Sequence, residues 1–143
     1  MSNLSLFLKK NKKVKENVKY AATKSLVDEK GNPLEWEFRA ISTRENDDIR
    51  DSCTLEIPIT GKQGMYRTKI NYAKYNAKVI AAAVVYPDLY DKELQDSYGV
   101  TTPEDLIREI VDDLGEYNDL LTFVQKHNGF TTGLEEDVEE AKN

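Results

Sequence analysis

The stretch from Ile70 to Tyr86 constrains this chain more than any other. Ile70, Ala73, Ala77, Ile80 and Val84 recur at spacings of three and four, which places them on one stripe of a helix. Ala81 to Ala83 widen that stripe, and Tyr86-Pro87 halts it, because a proline drives the residue before it out of helical conformation. Alanine lets neighbouring helices approach closely, so the reading is a central helix buried on more than one face. The rest of the 143 residues must be arranged around it, in one domain or one domain with tails. Leu, Ile, Val and Phe supply 35 residues, about a quarter of the chain and above the level of about a fifth at which a highly charged chain stays disordered.

The longest apolar run, Val79 to Tyr86, is far shorter than the roughly 20 residues a transmembrane helix needs. No membrane span is expected. The apolar patch Leu4-Ser5-Leu6-Phe7-Leu8 is followed by lysines instead of preceded by them, and no small-residue cleavage site comes after it, which argues against a secretory signal and for the cytoplasm. Without export, the sequon Asn3-Leu4-Ser5 carries no weight. Cys53 is the sole cysteine, so it is read as a small buried hydrophobe and not as half of a disulfide or a metal pair.

Charge is distributed unevenly. Residues 1–24 carry seven lysines against Glu16, residues 25–87 balance, and residues 88–143 carry sixteen acids against four bases, giving the overall −6. Such a gradient can steer a partner or permit head-to-tail association, although two solvated charged faces account for the same counts. The acidic half would repel phosphates, so nucleic acid is not an expected partner.

Along the chain, residues 2–9 read as a brief helix or docking arm, and residues 1–15 as a basic N-terminal arm. The segments Glu16–Val27 and Leu34–Ile41 flank Asp28-Glu29-Lys30-Gly31-Asn32-Pro33, a hairpin signal. Leu34, Trp36, Phe38 and Ala40 alternate with Glu35, Glu37 and Arg39, the period of a half-buried strand. Ser42 with Glu45 three residues on forms a capping box, predicting a helix through Ile49 and Cys53. Ile57–Arg67, with Pro58, Gly61 and Gly64, reads as a loop or loose hairpin. Asp91–Tyr98 reads as a short helix closed by Gly99. Thr102 as N-cap and Pro103 at the first position open another helix, with Leu106, Ile107, Ile110, Val111 and Leu114 on its apolar face and Gly115 at its end. A last helix carries Tyr117, Leu120, Leu121 and Val124 and stops at Asn128-Gly129, so that these two helices form a C-terminal helical hairpin. Leu134, Val138 and Ala141 lie on one face of a tail with five acids, too few apolar groups to anchor a helix alone.

The expected architecture is α+β and mostly helical: a β-hairpin packed on a helical bundle, with residues 1–130 as one globular domain and 131–143 as an acidic tail or helix. Little in this arrangement points to catalysis. Asp47-Asp48-Ile49-Arg50-Asp51 has the spacing of a magnesium–diphosphate motif but lacks a second acidic cluster, and it reads as surface. Gly61-Lys62-Gln63-Gly64 has the spacing of a nucleic-acid-clamping GxxG loop but not the flanking helices. His127, the sole histidine, falls in the last turn of a helix with no nucleophile or metal partner in the sequence pattern. No catalytic residue, metal or cofactor is assigned. The tyrosines at 66, 72, 75, 86 and 90 suit either a binding surface or a core edge with wet hydroxyls.

The opening Met1-Ser2-Asn3-Leu4-Ser5-Leu6-Phe7-Leu8-Lys9, the strand Asn17-Val18-Lys19-Tyr20, and Asp28-Glu29-Lys30-Gly31-Asn32-Pro33-Leu34-Glu35-Trp36 are the first of a set of collinear landmarks. Leu94-Gln95-Asp96-Ser97-Tyr98-Gly99-Val100, Gly115-Glu116-Tyr117, Asn128-Gly129-Phe130 and Val138-Glu139-Glu140-Ala141-Lys142-Asn143 complete it. Together they resemble the XkdN-like tail assembly chaperones of phages and defective prophages over nearly the whole length. The resemblance implies a non-enzymatic protein of the host cytoplasm that coats the tape measure protein, keeps it soluble, helps recruit tail tube subunits and is absent from the finished virion. The alternative is a structural tail or baseplate component retained in the particle. It further implies that a longer, frameshifted form can exist, of which this ending looks like the short product. A homo-oligomer is left open by the charge gradient. The candidate partner-binding residues are Tyr117, Leu121, Leu134 and Val138, on the faces of the C-terminal hairpin and tail expected to be exposed.

Overall fold

The computed structural model describes residues 3–129. Strands β1 (Val18–Tyr20), β2 (Trp36–Phe38) and β5 (Val84–Tyr86) form an antiparallel sheet in the order β1-β2-β5. Strands β3 (Thr54–Pro58) and β4 (Tyr66–Ile70) form a separate antiparallel pair. The helices are α1 (Thr43–Ser52), α2 (Tyr72–Ala83), α3 (Lys92–Ser97), α4 (Pro103–Ile110) and α5 (Leu114–His127). The α+β class expected from the sequence is present, with five α-helices among the described residues.

The central helix is α2, and it is buried on more than one face as its alanines require. Ala77 and Ile80 are fully covered, and Val79 and Ala83 nearly so. α1, α4, α5 and β5 all pack on it. The sequence reading ran the helix from Ile70 to Val84, whereas Ile70 closes β4 and Val84 opens β5. Asn71 caps the helix instead, its side chain accepting from Lys74 N at 3.2 Å. At the other end the β-branched pair Val84-Val85 favours extended backbone and finds a free edge on β2, with Phe38 opposite Val84.

Trp36 and Phe38 are buried in the middle strand, as their alternation predicts, while Leu34 is exposed beyond the strand end. Phe38 meets Phe123 edge-on at 5.3 Å and Tyr20 at 6.2 Å, and Tyr20 stacks on Phe123 at 4.2 Å. These three rings join the sheet to α5. The β1–β2 hairpin is not continuous: Tyr20 pairs with Trp36 and Val27 bridges Pro33, so residues 21–26 bulge out opposite two residues of the partner strand. The bulge is held by Glu116 in the first turn of α5, which accepts from Thr23 Oγ1 at 2.7 Å and Lys24 N at 2.8 Å.

The helix boundaries follow their caps. Ser42 and Glu45 form the reciprocal capping box at α1, at 3.1 and 3.0 Å. Thr102 Oγ1 caps α4 by accepting from Asp105 N at 3.2 Å, with Pro103 at the first position. Two expectations are corrected. α4 stops at Ile110, because Asp113 caps a new helix by accepting from Glu116 N at 2.8 Å. Leu114 therefore lies outside the α4 face, 73% exposed, and Gly115 sits in the first turn of α5 instead of ending α4. Nor do α4 and α5 form a hairpin closed on itself: each packs principally on α2. The stop at Asn128-Gly129 is as read, with Gly129 at φ 77° and Asn128 Oδ1 accepting from Ile41 N at 2.7 Å.

Candidate interaction surface

The core takes up the apolar faces of α2, α4 and α5 with Trp36 and Phe38, so the large apolar side chains left outside it define where another protein could sit. Most of them fall on three parts of the molecule, with Val27, Leu34 and Leu114 exposed elsewhere.

The first is the N-terminal arm. Residues Asn3–Phe7 and Lys9–Asn11 form two short 3-10 turns with no buried side chain, and Leu6, Phe7 and Val14 are 72%, 83% and 87% exposed. The expected brief helix is thus made of 3-10 turns. Lys9, Lys10, Lys12, Lys13 and Lys15 give the arm five positive charges with no acid among residues 3–15. Its base is fixed to the body: Lys15 Nζ donates to the carbonyl of His127 at the end of α5. A cation at that end of a helix is favoured by the backbone dipole. The His127 ring stacks on Phe123, its Nε2 is buried with no hydrogen-bond partner among the described residues, and burial followed by the nearby Lys15 charge lowers its pKa below the usual value.

The second is the β3–β4 hairpin, which resolves the sequence's loop-or-hairpin reading of 57–67. Thr54 pairs with Ile70 through to Pro58 with Tyr66, and Gly61 and Gly64 sit at the tip with φ of 80° and 76°. Side chains on both strands are exposed or at most half-buried, and Leu55, Met65 and Tyr66 stand in solvent. The hairpin is anchored at its base, where Asn71 N donates to Cys53 O at 2.8 Å and the Cys53 side chain is buried. The GxxG spacing belongs to this tip, between two strands.

The third lies around α2 and β5. Tyr72, Tyr86 and Tyr90 are exposed, whereas Tyr75 is half-buried and its hydroxyl bonds Asn46. The tyrosines therefore divide between the two roles left open by the sequence.

Of the four candidate contact residues, Tyr117 and Leu121 lie among the described residues. Tyr117 and Leu121 are half-buried and pack against the core, so they present edges instead of a free face. Burial pushes the Tyr117 phenol above the usual tyrosine range. Leu134 and Val138 lie outside the described residues. Sequence reasoning missed Phe123, whose place three residues after Leu120 widens the α5 stripe, and it assigned no role to the exposed hairpin. Asp47, Asp48 and Asp51 are all exposed on α1. Among the described residues no group of three or more His, Cys, Asp or Glu could hold a metal ion, and no helix is long and apolar enough to cross a membrane.

The α+β body is sealed by aromatic rings and carries exposed apolar side chains on an arm, a hairpin and a sheet edge. The sequence model of the phage XkdN-like tail assembly chaperone proteins matches residues 4–142, and the chain belongs to that family, whose role is non-enzymatic. Phage-like element PBSX protein XkdN of Bacillus subtilis (strain 168) is 28% identical over 142 residues, covering 99% of this chain and 94% of that protein. The uncharacterized protein YqbN of the same strain is 28% identical over 141 residues, covering 99% and 93%. The crystal structure of YqbN superposes with a TM-score of 0.73 at 25% identity, over 91% of this chain and 98% of that one.

Proposed function

We propose that this chain acts in the host cytoplasm on the tape measure protein of its phage or prophage. It binds that long chain, keeps it soluble, helps recruit tail tube subunits and leaves before the particle is complete. The observation that carries the reading is the set of large apolar side chains held outside a well-sealed core, on the arm and on the β3–β4 hairpin. Family membership supplies the setting of tail assembly. The physical logic is that an unassembled, helical tape measure exposes apolar stripes that aggregate. A charged partner covering those stripes adds solubility as it binds. Tyr117, Leu121, Leu134 and Val138 are the proposed contacts on the C-terminal side, the first two through their uncovered edges.

Co-expression with the tape measure protein of the same phage tests this. The expected result is a tape measure that stays soluble only when this chain is present and that co-elutes with it. An insoluble tape measure with this chain eluting alone overturns the reading. Recovery of the chain at stoichiometric amounts in purified particles would instead establish it as a structural tail or baseplate component.

A further inference from the structure

The N-terminal arm is apolar, cationic and tied at its base to the end of α5, and these three properties together specify what covers it. We propose that the acidic segment Leu134–Ala141 of the same chain docks along this arm, with Leu134 and Val138 seated on Leu6 and Phe7 and the carboxylates facing the lysines. The inference concerns the free chain and does not rest on the tape measure reading.

Charge complementarity selects the occupant. The arm offers Lys9, Lys10, Lys12, Lys13 and Lys15, and the segment offers Glu135, Glu136, Asp137, Glu139 and Glu140 around Leu134, Val138 and Ala141. Reach is satisfied by construction. Lys15 bonds the carbonyl of His127, so the arm starts where α5 ends. At up to about 3.5 Å per residue, the seven residues from His127 to Leu134 span up to about 25 Å, and Phe7 lies no more than about 25 Å of chain from Lys15, since the 3-10 turn at Lys9–Asn11 rises only about 2 Å per residue. Tethering decides between this segment and a second copy. A short linker that spans the two sites presents its own chain at an effective concentration on the order of millimolar, far above that of free protein at working dilution.

Exposed apolar rows such as Leu6, Phe7 and Val14 are an aggregation liability on a free monomer, and a tethered acidic strap removes that liability while leaving the arm available to exchange. Leu134 and Val138 cannot serve the arm and another protein at once. A partner that captures them therefore uncovers the arm.

The test is zero-length carbodiimide cross-linking of the full chain, as an equal mixture of unlabelled and uniformly 15N-labelled protein, read by peptide mass spectrometry. The expected products join Lys9, Lys10, Lys12 or Lys13 to Glu135–Glu140 in peptides wholly light or wholly heavy. Their yield should fall about fivefold or more in 1 M salt, where the Debye length is about 3 Å, and likewise in Leu134→Ser with Val138→Ser, which keeps every charge. Lys92–Asp96, an ion pair at 3.0 Å on α3, provides the internal control for reaction. Mixed-isotope peptides would place the contact between copies and overturn the proposal. So would absence of these products while the control links, or a yield unchanged in the double variant.

Discussion

Glu116→Ala tests whether the bulge of the first hairpin is held by side-chain chemistry or merely rests on α5. Glu116 accepts from Thr23 Oγ1 at 2.7 Å and from Lys24 N at 2.8 Å, and Thr23 is 2% exposed. Hydrogen bonds to a charged acceptor contribute about 1.5–3 kcal/mol each when shielded. The two here are unequal. Thr23 keeps the Ser25 hydroxyl at 2.8 Å after the substitution, so its own group is not orphaned, and the exposed Lys24 N–H can turn to water. The expected loss is therefore about 2–3 kcal/mol in total, with about 0.3–1 of it from removing an acid in the first turn of a helix. For a chain of this size that lowers Tm by about 6–12 °C. Urea unfolding should show a lower midpoint at unchanged slope, because no large surface is uncovered. Glu116→Gln keeps one acceptor and the shape, and should lose about half as much. In a Thr23→Val background the further loss on Glu116→Ala should drop by about 1–2 kcal/mol, the coupling of groups in direct contact. Equal losses in both backgrounds, or a loss below about 0.5 kcal/mol, would refute the latch.

Phe38→Ala removes the ring against which Tyr20, Trp36 and Phe123 pack, and should cost about 3–5 kcal/mol by chemical denaturation, the largest loss among these variants. The Arg39 guanidinium beside Glu45, aided by Ser42, holds that carboxyl down to about 2, below its unfolded value of 4.5. Its contribution is complete above about pH 4.5 and lost as pH falls towards 2. Because the pair is more than a third exposed, Glu45→Gln should cost no more than about 1 kcal/mol at pH 7 and flatten the acid limb of a stability–pH curve. Leu55→Ser with Tyr66→Ser on the free hairpin should change stability by less than about 0.5 kcal/mol, yet lower recovery of soluble tape measure in co-expression.

Local chemistry made much of this fold legible. Caps state their partners within three residues, so Ser42, Thr102 and Asn128-Gly129 mark their helix ends correctly from sequence alone. The alternation around Trp36 and Phe38 identifies the buried strand for the same reason. The failures share a cause, which is that the deciding partner is distant in sequence. Val84 continues a helical stripe by spacing but pairs with Phe38, some 46 positions away, and only the tertiary edge makes it a strand. Leu114 continues the apolar face of α4 until Asp113 is recognised as the cap of a new helix. The Thr23–Glu116 latch has no local signal in either segment. As for the candidate contacts, amphipathic spacing marks Tyr117 and Leu121 as one side of a helix, but it cannot say that the same side is already taken up by the core. The free hairpin is legible only as one of two alternatives for Ile57–Arg67, because its turn residues are conspicuous while the second strand, Tyr66–Ile70, does not alternate apolar with polar residues.

Helix α2 passes into β5 at Ala83–Val84 with no intervening loop. The two elements share a single peptide junction. One lies among α1, α4 and α5, the other pairs with β2, and at the junction Arg39 N donates to Ala83 O at 2.8 Å. A displacement of Tyr86 at the sheet edge reaches α2 without passing through a loop.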